Sequence, residues 1–291
     1  MDRVIVSLIG GGSLGGTYAL VALGIVLAFR ATATFNFAHG QFMLLPAFLV
    51  GAWQAQHVQP LGVSITVGLV TVALIGLVFY VLVLQRTVGL AHFMGVIATF
   101  GLAAVLDGVM LIIFGSPQYN IGFPLLPRGV VVLLGVRVSA TSLVIAAFTL
   151  LLAVGVAASL RFTPLGIKIR AAGQDAILAS QGGINVRVLY MGSWALAAAL
   201  AGVAGITYGT TNIVNHSFVD VALAAFPAIL IGGLDSIEGA IVGGLVVGIA
   251  QGFIATYLGS QLLDVLTYAL LLVVMLIFPQ GLLGTRRVLR V

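Results

Sequence analysis

Uncharged apolar runs of membrane-spanning length follow one another along this chain, and the polar positions gather in the gaps between them. Taking about 20 consecutive apolar residues as one bilayer crossing, nine runs emerge: 4–29, 35–55, 61–84, 91–114, 141–160, 190–211, 221–234, 239–258 and 264–283. The run at 221–234 has 14 residues and is expected to be half of a broken or re-entrant element. The run at 35–55 carries Asn36, His39 and Gln41 at its start and Pro46 further in. Barrel strands would alternate polar and apolar positions over segments of about 10 residues, and that alternation is missing. The pattern therefore predicts an all-α polytopic membrane protein with about 8–10 transmembrane helices, some broken or re-entrant. No linker or soluble stretch interrupts it, so residues 1–291 are read as one membrane domain.

One gap is longer and richer than the rest. Between 161 and 188 lie Arg161, Lys168, Arg170, Asp175 and Arg187. Pro164 and Gly166 suggest a turn, 167–181 a single short helix, and Gly182-Gly183 its end. That helix would show Ile169, Ala172, Ala176 and Ala179 on one side. Held between two spans at the membrane surface, it could serve as a handle for a soluble partner. The stretch 116–139, with Pro117, Pro124, Pro127, Arg128 and Arg137, reads as a loop on the opposite side with a short hairpin at 129–138. Positive residues are retained on the cytoplasmic side. Placing 161–188 there puts Arg30, Arg86, Arg161, Lys168, Arg170, Arg187, Arg286, Arg287 and Arg290 inside, and only Arg3, Arg128 and Arg137 outside. The N-terminus is then external and the C-terminus cytoplasmic.

Composition sharpens the class. The chain is 61% hydrophobic and 7% charged, against about 25% charged residues in soluble domains. Its 38 glycines suit close helix packing in lipid. The net charge of +5 belongs to cytoplasmic loops and not to a nucleic-acid surface, since no basic run is interleaved with aromatics. The absence of cysteine excludes disulfides and thiolate metal sites. The first apolar run, 26 residues long, exceeds a signal-peptide core of about 7–15 residues. Despite Ala31-Thr-Ala33, it is expected to remain as a span.

Candidate chemistry is sparse, and the chain does not read as an enzyme. No Walker A motif and no His-Glu-x-x-His motif occurs, so no catalytic, cofactor or metal residue is assigned, and any ATP and Mg belong to other chains. Gly11-Gly-Ser13-Leu-Gly15 resembles a nucleophile motif, but glycine is too common here for that to weigh. Asn36, His39 and Gln41 are polar groups at the start of a span, where they need water or a partner. Gly40 and Pro46 would let that helix break and line a translocation path, while capping at the headgroup level is the plain alternative. Asp107 is the one acid deep in a long span, disfavoured there by about 2.5–3.5 kcal/mol, and would be the coupling site of an ion- or proton-driven carrier. Gly232, Gly233, Gly239, Gly243 and Gly244 read as a packing motif. Asp235 and Glu238 read as solvated or as helix caps, and Asn212, Asn215 and His216 as outer-loop polarity where a soluble donor could dock.

The ordered motifs Gly15-Gly-Thr-Tyr-Ala-Leu20 with Ala22-Leu-Gly24, Phe29-Arg30 with Asn36-Phe-Ala-His-Gly-Gln41, and Arg170-Ala-x-x-Gln-Asp175 with Gly183-Ile-Asn185 carry a family resemblance. Ala201-Gly-Val-Ala-Gly205 and Gly232-Gly-Leu-Asp-Ser-x-x-Gly-Ala-x-x-Gly-Gly244 extend it over nearly the full length. The chain resembles the LivH-type permease subunits of branched-chain amino acid ABC transporters. That resemblance implies a bacterial inner-membrane importer in which this subunit pairs with a second homologous permease, as a heterodimer. Two cytoplasmic ATPases and a periplasmic solute-binding protein would complete the assembly. It also implies that Arg170, Gln174, Asp175, Gly183, Ile184 and Asn185 form the element that couples to an ATPase. Glu238 and Gln251 depart from the proline and glutamate frequent in the family, and relatives also move urea, amides or aromatic acids. A secondary carrier using Asp107 and a structural membrane scaffold are the competing readings. The importer reading expects little from Asp107→Asn beyond a packing effect.

Overall fold

The computed structural model describes residues 2–87, 92–127, 129–133 and 135–284. Of the charges used above for orientation, Arg128, Arg286, Arg287 and Arg290 lie outside these residues. In chain order come α1 (Asp2–Thr32), α2 (His39–Ala55) and α3 (Leu61–Phe79), the last continuing through a wide π turn at Tyr80–Leu84 into α4 (Gln85–Thr87). Next are α5 (His92–Phe114), an antiparallel hairpin of β1 (Val130–Leu133) and β2 (Val136–Ser139), and α6 (Ala140–Phe162). Two short helices follow, α7 (Pro164–Gln174) and α8 (Ala176–Gln181), then α9 (Val186–Tyr208). The chain closes with α10 (Phe218–Ala224), α11 (Phe226–Gly232), α12 (Ile237–Tyr257) and α13 (Leu263–Ile277).

Seven helices among the described residues are long and apolar enough to cross a bilayer. Two further apolar elements are shorter. Helix α2 has 17 residues, about 26 Å at 1.5 Å per residue. The stretch Phe218–Gly232 is divided into α10 and α11 at Ala225, with Pro227 in the first turn of α11, where its missing N–H costs no helical hydrogen bond. The broken element expected at 221–234 is this pair. The hairpin expected at 129–138 is also present, pairing Val131 with Val138 and Val132 with Arg137.

The chain forms two compact units. One comprises Leu27–Pro124 and Val156–Leu223. Its centre is α2, buried from His39 to Phe48 and packed against α3 and α9. A helix apolar on every side belongs in the middle of a bundle. Glycines thin its neighbours: Gly68 of α3 and Gly202 of α9 lie against Pro46, and Gly205 of α9 lies against the Met43 carbonyl.

The other unit comprises Met1–Val26, Leu125–Gly155 and Ala224–Val291. Here Gly232 and Gly239 meet backbone to backbone, Gly243 sits on the Ala228 carbonyl, and Gly244 meets Ala19 of α1. These glycines act as a packing motif, because a Cβ at any of them would overlap main-chain atoms. Gly233 ends α11 with φ +109°, a conformation that a side chain would strain. The segment after α13 returns to this point, with the Leu282 and Leu283 N–H groups donating to the Ile231 and Gly232 carbonyls at 2.7 and 3.0 Å. The cap of α12 is Ser236, whose hydroxyl accepts from the Gly239 N–H at 2.9 Å. The capping role expected for Asp235 or Glu238 therefore falls to the serine between them.

Candidate coupling and translocation sites

The polar gap after α6 folds as two helices where the sequence suggested one. Pro164 occupies the first turn of α7, suited by its fixed φ, and Gly166 lies within that helix against the Leu160 carbonyl instead of forming a separate turn. The break comes at Asp175, whose backbone is extended (φ −153°, ψ 105°) and whose carboxylate accepts from the Ile177 and Leu178 N–H groups, each at 2.9 Å. Aspartate at an N-cap position satisfies helix donors that have no partner along the helix. It ends one helix and starts the next. Gly183, at φ +83°, terminates α8 while the Ile184 N–H donates to Ala179 at 3.1 Å, an arrangement that glycine permits. Asn185 then caps α9, accepting from the Val188 N–H at 3.1 Å.

Of the apolar stripe expected on one helix, Ile169 and Ala172 of α7 and Ala179 of α8 are buried, and Ala176 is half-buried. The underside of α7 is tied down at several points. Arg170 donates to the Leu160 carbonyl at 2.7 Å and to the Arg161 carbonyl at 3.3 Å, gripping the last turn of α6. Gly173 rests against the Arg30 carbonyl near the end of α1. The Tyr190 hydroxyl of α9 donates to the Ala172 carbonyl at 3.0 Å. Helix α8, by contrast, exposes Ile177 and Leu178 at 70% and 63%. Sequence reasoning missed this pair. The signal was two adjacent large aliphatic residues inside a polar loop, two and three positions beyond a capping aspartate.

The second constellation lies at the entry to α2. Asn36, His39 and Gln41 are all buried, at 0%, 1% and 7% exposure. The α2 N-cap is Ala38, which makes no side-chain cap bond of its own. The Asn36 carbonyl oxygen accepts from the Ala38 N–H at 3.0 Å, while its amide nitrogen and the Gln41 carbonyl oxygen have no hydrogen-bond partner among the described residues. The connection between α1 and α2 hangs on Thr99 of α5, whose hydroxyl bonds the Phe35 carbonyl at 3.1 Å and the Phe37 N–H at 3.2 Å. Unsatisfied buried amide groups are costly.

Two further polar contacts were not legible in the sequence. His216 folds back to Asp107, its Nδ1 standing 3.5 Å from the carboxylate. Gln251 of α12 accepts from the Tyr18 hydroxyl of α1 at 2.8 Å and donates to the Thr267 hydroxyl of α13 at 3.0 Å.

Comparison with known proteins bears on what this arrangement serves. The family model described as the permease component of the branched-chain amino acid transport system matches residues 7–278. The chain belongs to this family. Among relatives, this permease is 28% identical to the high-affinity branched-chain amino acid transport system permease protein LivH of Escherichia coli, over 97% of its own length and 96% of the relative's. It is 28% identical to BraD of Pseudomonas aeruginosa, over 98% and 97%. With a probable LivH of Methanocaldococcus jannaschii it shares 31% identity, over 91% and 88%. No solved structure matches it. The family membership leaves the Asp107-driven carrier without support.

Proposed function

We propose that this chain is a membrane-spanning subunit of a binding-protein-dependent ABC importer, moving branched-chain or related amino acids across a bacterial inner membrane. A second, homologous permease would complete the pathway, and a periplasmic solute-binding protein would deliver the substrate. Two cytoplasmic ATPases, carrying ATP and Mg, would supply the work. No reaction is assigned to the permease itself. Its external N-terminus and cytoplasmic C-terminus follow from the charge distribution.

The observation that carries this reading is the contrast between α7 and α8. Helix α7 is bonded to the ends of α6 and α9 and rests on α1, while α8 displays Ile177 and Leu178 with nothing over them. An exposed apolar pair on a short helix joined directly to a braced one suits insertion into a groove of a soluble partner. Arg170, Gln174, Asp175, Gly183, Ile184 and Asn185 would fix its geometry, and ATP-driven closure of the ATPase pair would then move α6 and α9 through α7. Asn36, His39 and Gln41 would line the path, offering amide and imidazole groups to the passing substrate.

The test is purification of the assembled complex with Ile177→Asp/Leu178→Asp. Membrane insertion should be unchanged while the ATPases are lost from the complex and uptake of labelled leucine falls at least about tenfold, in line with loss of an interfacial anchor. ATPases retained at wild-type stoichiometry, with normal uptake, would overturn the assignment.

A further inference from the structure

Helix α2 begins in the interior of its unit, with His39, Gly40 and Gln41 all buried. Its first helical hydrogen bond runs from the Phe42 N–H to the Ala38 carbonyl at 3.1 Å, and the N–H groups ahead of such a bond have no acceptor within the helix. Asn36 holds the head of the helix: its carbonyl oxygen is engaged by the Ala38 N–H at 3.0 Å. That bond keeps the side-chain amide at the start of α2, where its fully buried nitrogen has no hydrogen-bond partner among the described residues. Gln41, in the first turn, buries its side-chain carbonyl oxygen in the same condition. Between them Gly40 leaves the backbone bare. A Cβ there would stand 2.8 Å from a methyl group of Val219, at the start of α10.

The connection 33–38 leads into this turn, and it is held by a fastening that can let go. Ala33 has φ +51°, a left-handed conformation that disfavours any residue with a Cβ. The Thr99 hydroxyl has one hydrogen and two carbonyls in reach, that of Phe35 in the connection at 3.1 Å and that of Val96 in its own helix at 2.8 Å. When the connection moves away, the hydroxyl stays bonded to Val96, as a threonine within a helix commonly does. Release therefore leaves no polar group stranded on α5. Gly173 of α7 rests on the Arg30 carbonyl, three residues ahead of Ala33, so a shift of α7 acts next to the connection.

A helix N-terminus, with its unbonded N–H groups and partial positive charge, holds carboxylates. A spare amide NH₂ beside it adds a donor, and a spare amide oxygen in its first turn adds an acceptor for an ammonium. None of these groups has to ionise. We propose that the start of α2 is the subsite for the headgroup of an α-amino acid. The Gly40 and Gln41 N–H groups and Asn36 Nδ2 take the substrate carboxylate, and Gln41 Oε1 takes its ammonium, once the 33–38 connection has moved aside. This inference rests on the amino-acid reading proposed above and narrows it. Urea and neutral amides, which bring no carboxylate, fit the subsite poorly.

Asn36→Asp keeps the acceptor for the Ala38 N–H and replaces the spare donor with a second oxygen. A capping role survives that change, and a carboxylate subsite does not. The readout is saturation-transfer NMR on the assembled complex, purified without its binding protein, both nucleotide-free and with ATP bound. Leucine should bind most tightly, followed by 4-methylpentanoate, which lacks the ammonium. Leucinamide, which lacks the carboxylate, should be weaker than leucine by about tenfold, the effect of one lost charged contact. Asn36→Asp should weaken leucine by a similar factor. Gln41→Glu places the same charge at the same helix end, yet should tighten leucine and weaken 4-methylpentanoate. Leucine binding unchanged in Asn36→Asp, or lowered alike in both variants, would overturn the subsite. So would a wild-type complex that binds leucinamide as well as leucine, or that shows no leucine signal in either nucleotide state, results that require no variant to fold. Leucine uptake by the wild-type complex with its binding protein separates the two levels: uptake together with any of those results removes only this inference, and no uptake removes the amino-acid reading as well.

Discussion

Thr267 gives its hydroxyl hydrogen to the Leu263 carbonyl at 2.7 Å, so its oxygen can only accept from Gln251. Tyr18 in turn needs an acceptor at the same side chain. An amide meets both demands at once, whereas an ionised carboxylate meets only the second. Gln251 is buried, which makes the distinction matter. Gln251→Leu should lower stability in detergent by about 1–2 kcal/mol, the range for interhelical hydrogen bonds in membranes. Gln251→Glu should be worse than leucine at neutral pH, because it leaves Thr267 without its donor and places a charge among three helices. A thermal-unfolding series comparing the two variants checks the order. Equal midpoints for glutamate and wild type would show that the amide is not required.

At the scale of elements, the joint between α6 and α7 is a guanidinium bridging two carbonyls at a helix C-terminus. Those carbonyls have no helical donor of their own, and the fork geometry of arginine suits two acceptors at once. Arg170→Lys should therefore fail to replace it. The expected result is a complex that still holds its ATPases and hydrolyses ATP, with uptake reduced several-fold because motion at α8 no longer reaches α6. The cap at the next break gives a cleaner comparison. Asp175→Asn keeps an acceptor for the Ile177 and Leu178 N–H groups, whereas Asp175→Ala removes it, at about 1 kcal/mol for an N-cap. Uptake should survive the first better than the second. Equal loss in both would mean that the charge of Asp175, and not its capping of α8, is what the partner needs.

For the whole molecule, the sidedness proposed from the charges can be read directly. Leu125, 98% exposed before the hairpin, and Ser180, exposed on α8, should lie on opposite faces of the membrane. As single cysteines in this cysteine-free chain, Leu125→Cys should react with an impermeant maleimide in right-side-out vesicles and Ser180→Cys only in inside-out ones. Burial also differs among the spans. Helices α13 and α5 are mostly exposed, whereas α9 is mostly buried. The former leave large apolar faces uncovered by the rest of the chain.

Hydrophobic run length alone determined that this chain is a polytopic helical membrane protein, because lipid requires every backbone polar group to be satisfied within a helix. The shortness of the run at 221–234 marked it as part of a broken element, and the hairpin read at 129–138 falls on β1 and β2. Charge placement marked 161–188 as the segment apart. The ordered motifs carried the family. What periodicity could not give was any contact between residues distant in sequence. The break at Asp175 was missed because capping competes with helix continuation, and the winner depends on whether α7 is held from below by Arg170 and Tyr190. For Asn36, His39 and Gln41 the sequence left a translocation path and, for Asn36 and His39, headgroup-level capping side by side; that α2 is the buried centre of its unit came only from the fold. Asp107 looked solitary and His216 looked like outer-loop polarity, 109 positions apart in sequence. Only the folded chain brings that acid and that base together, since long-range polar pairing is set by how the helices pack and leaves no period in the sequence.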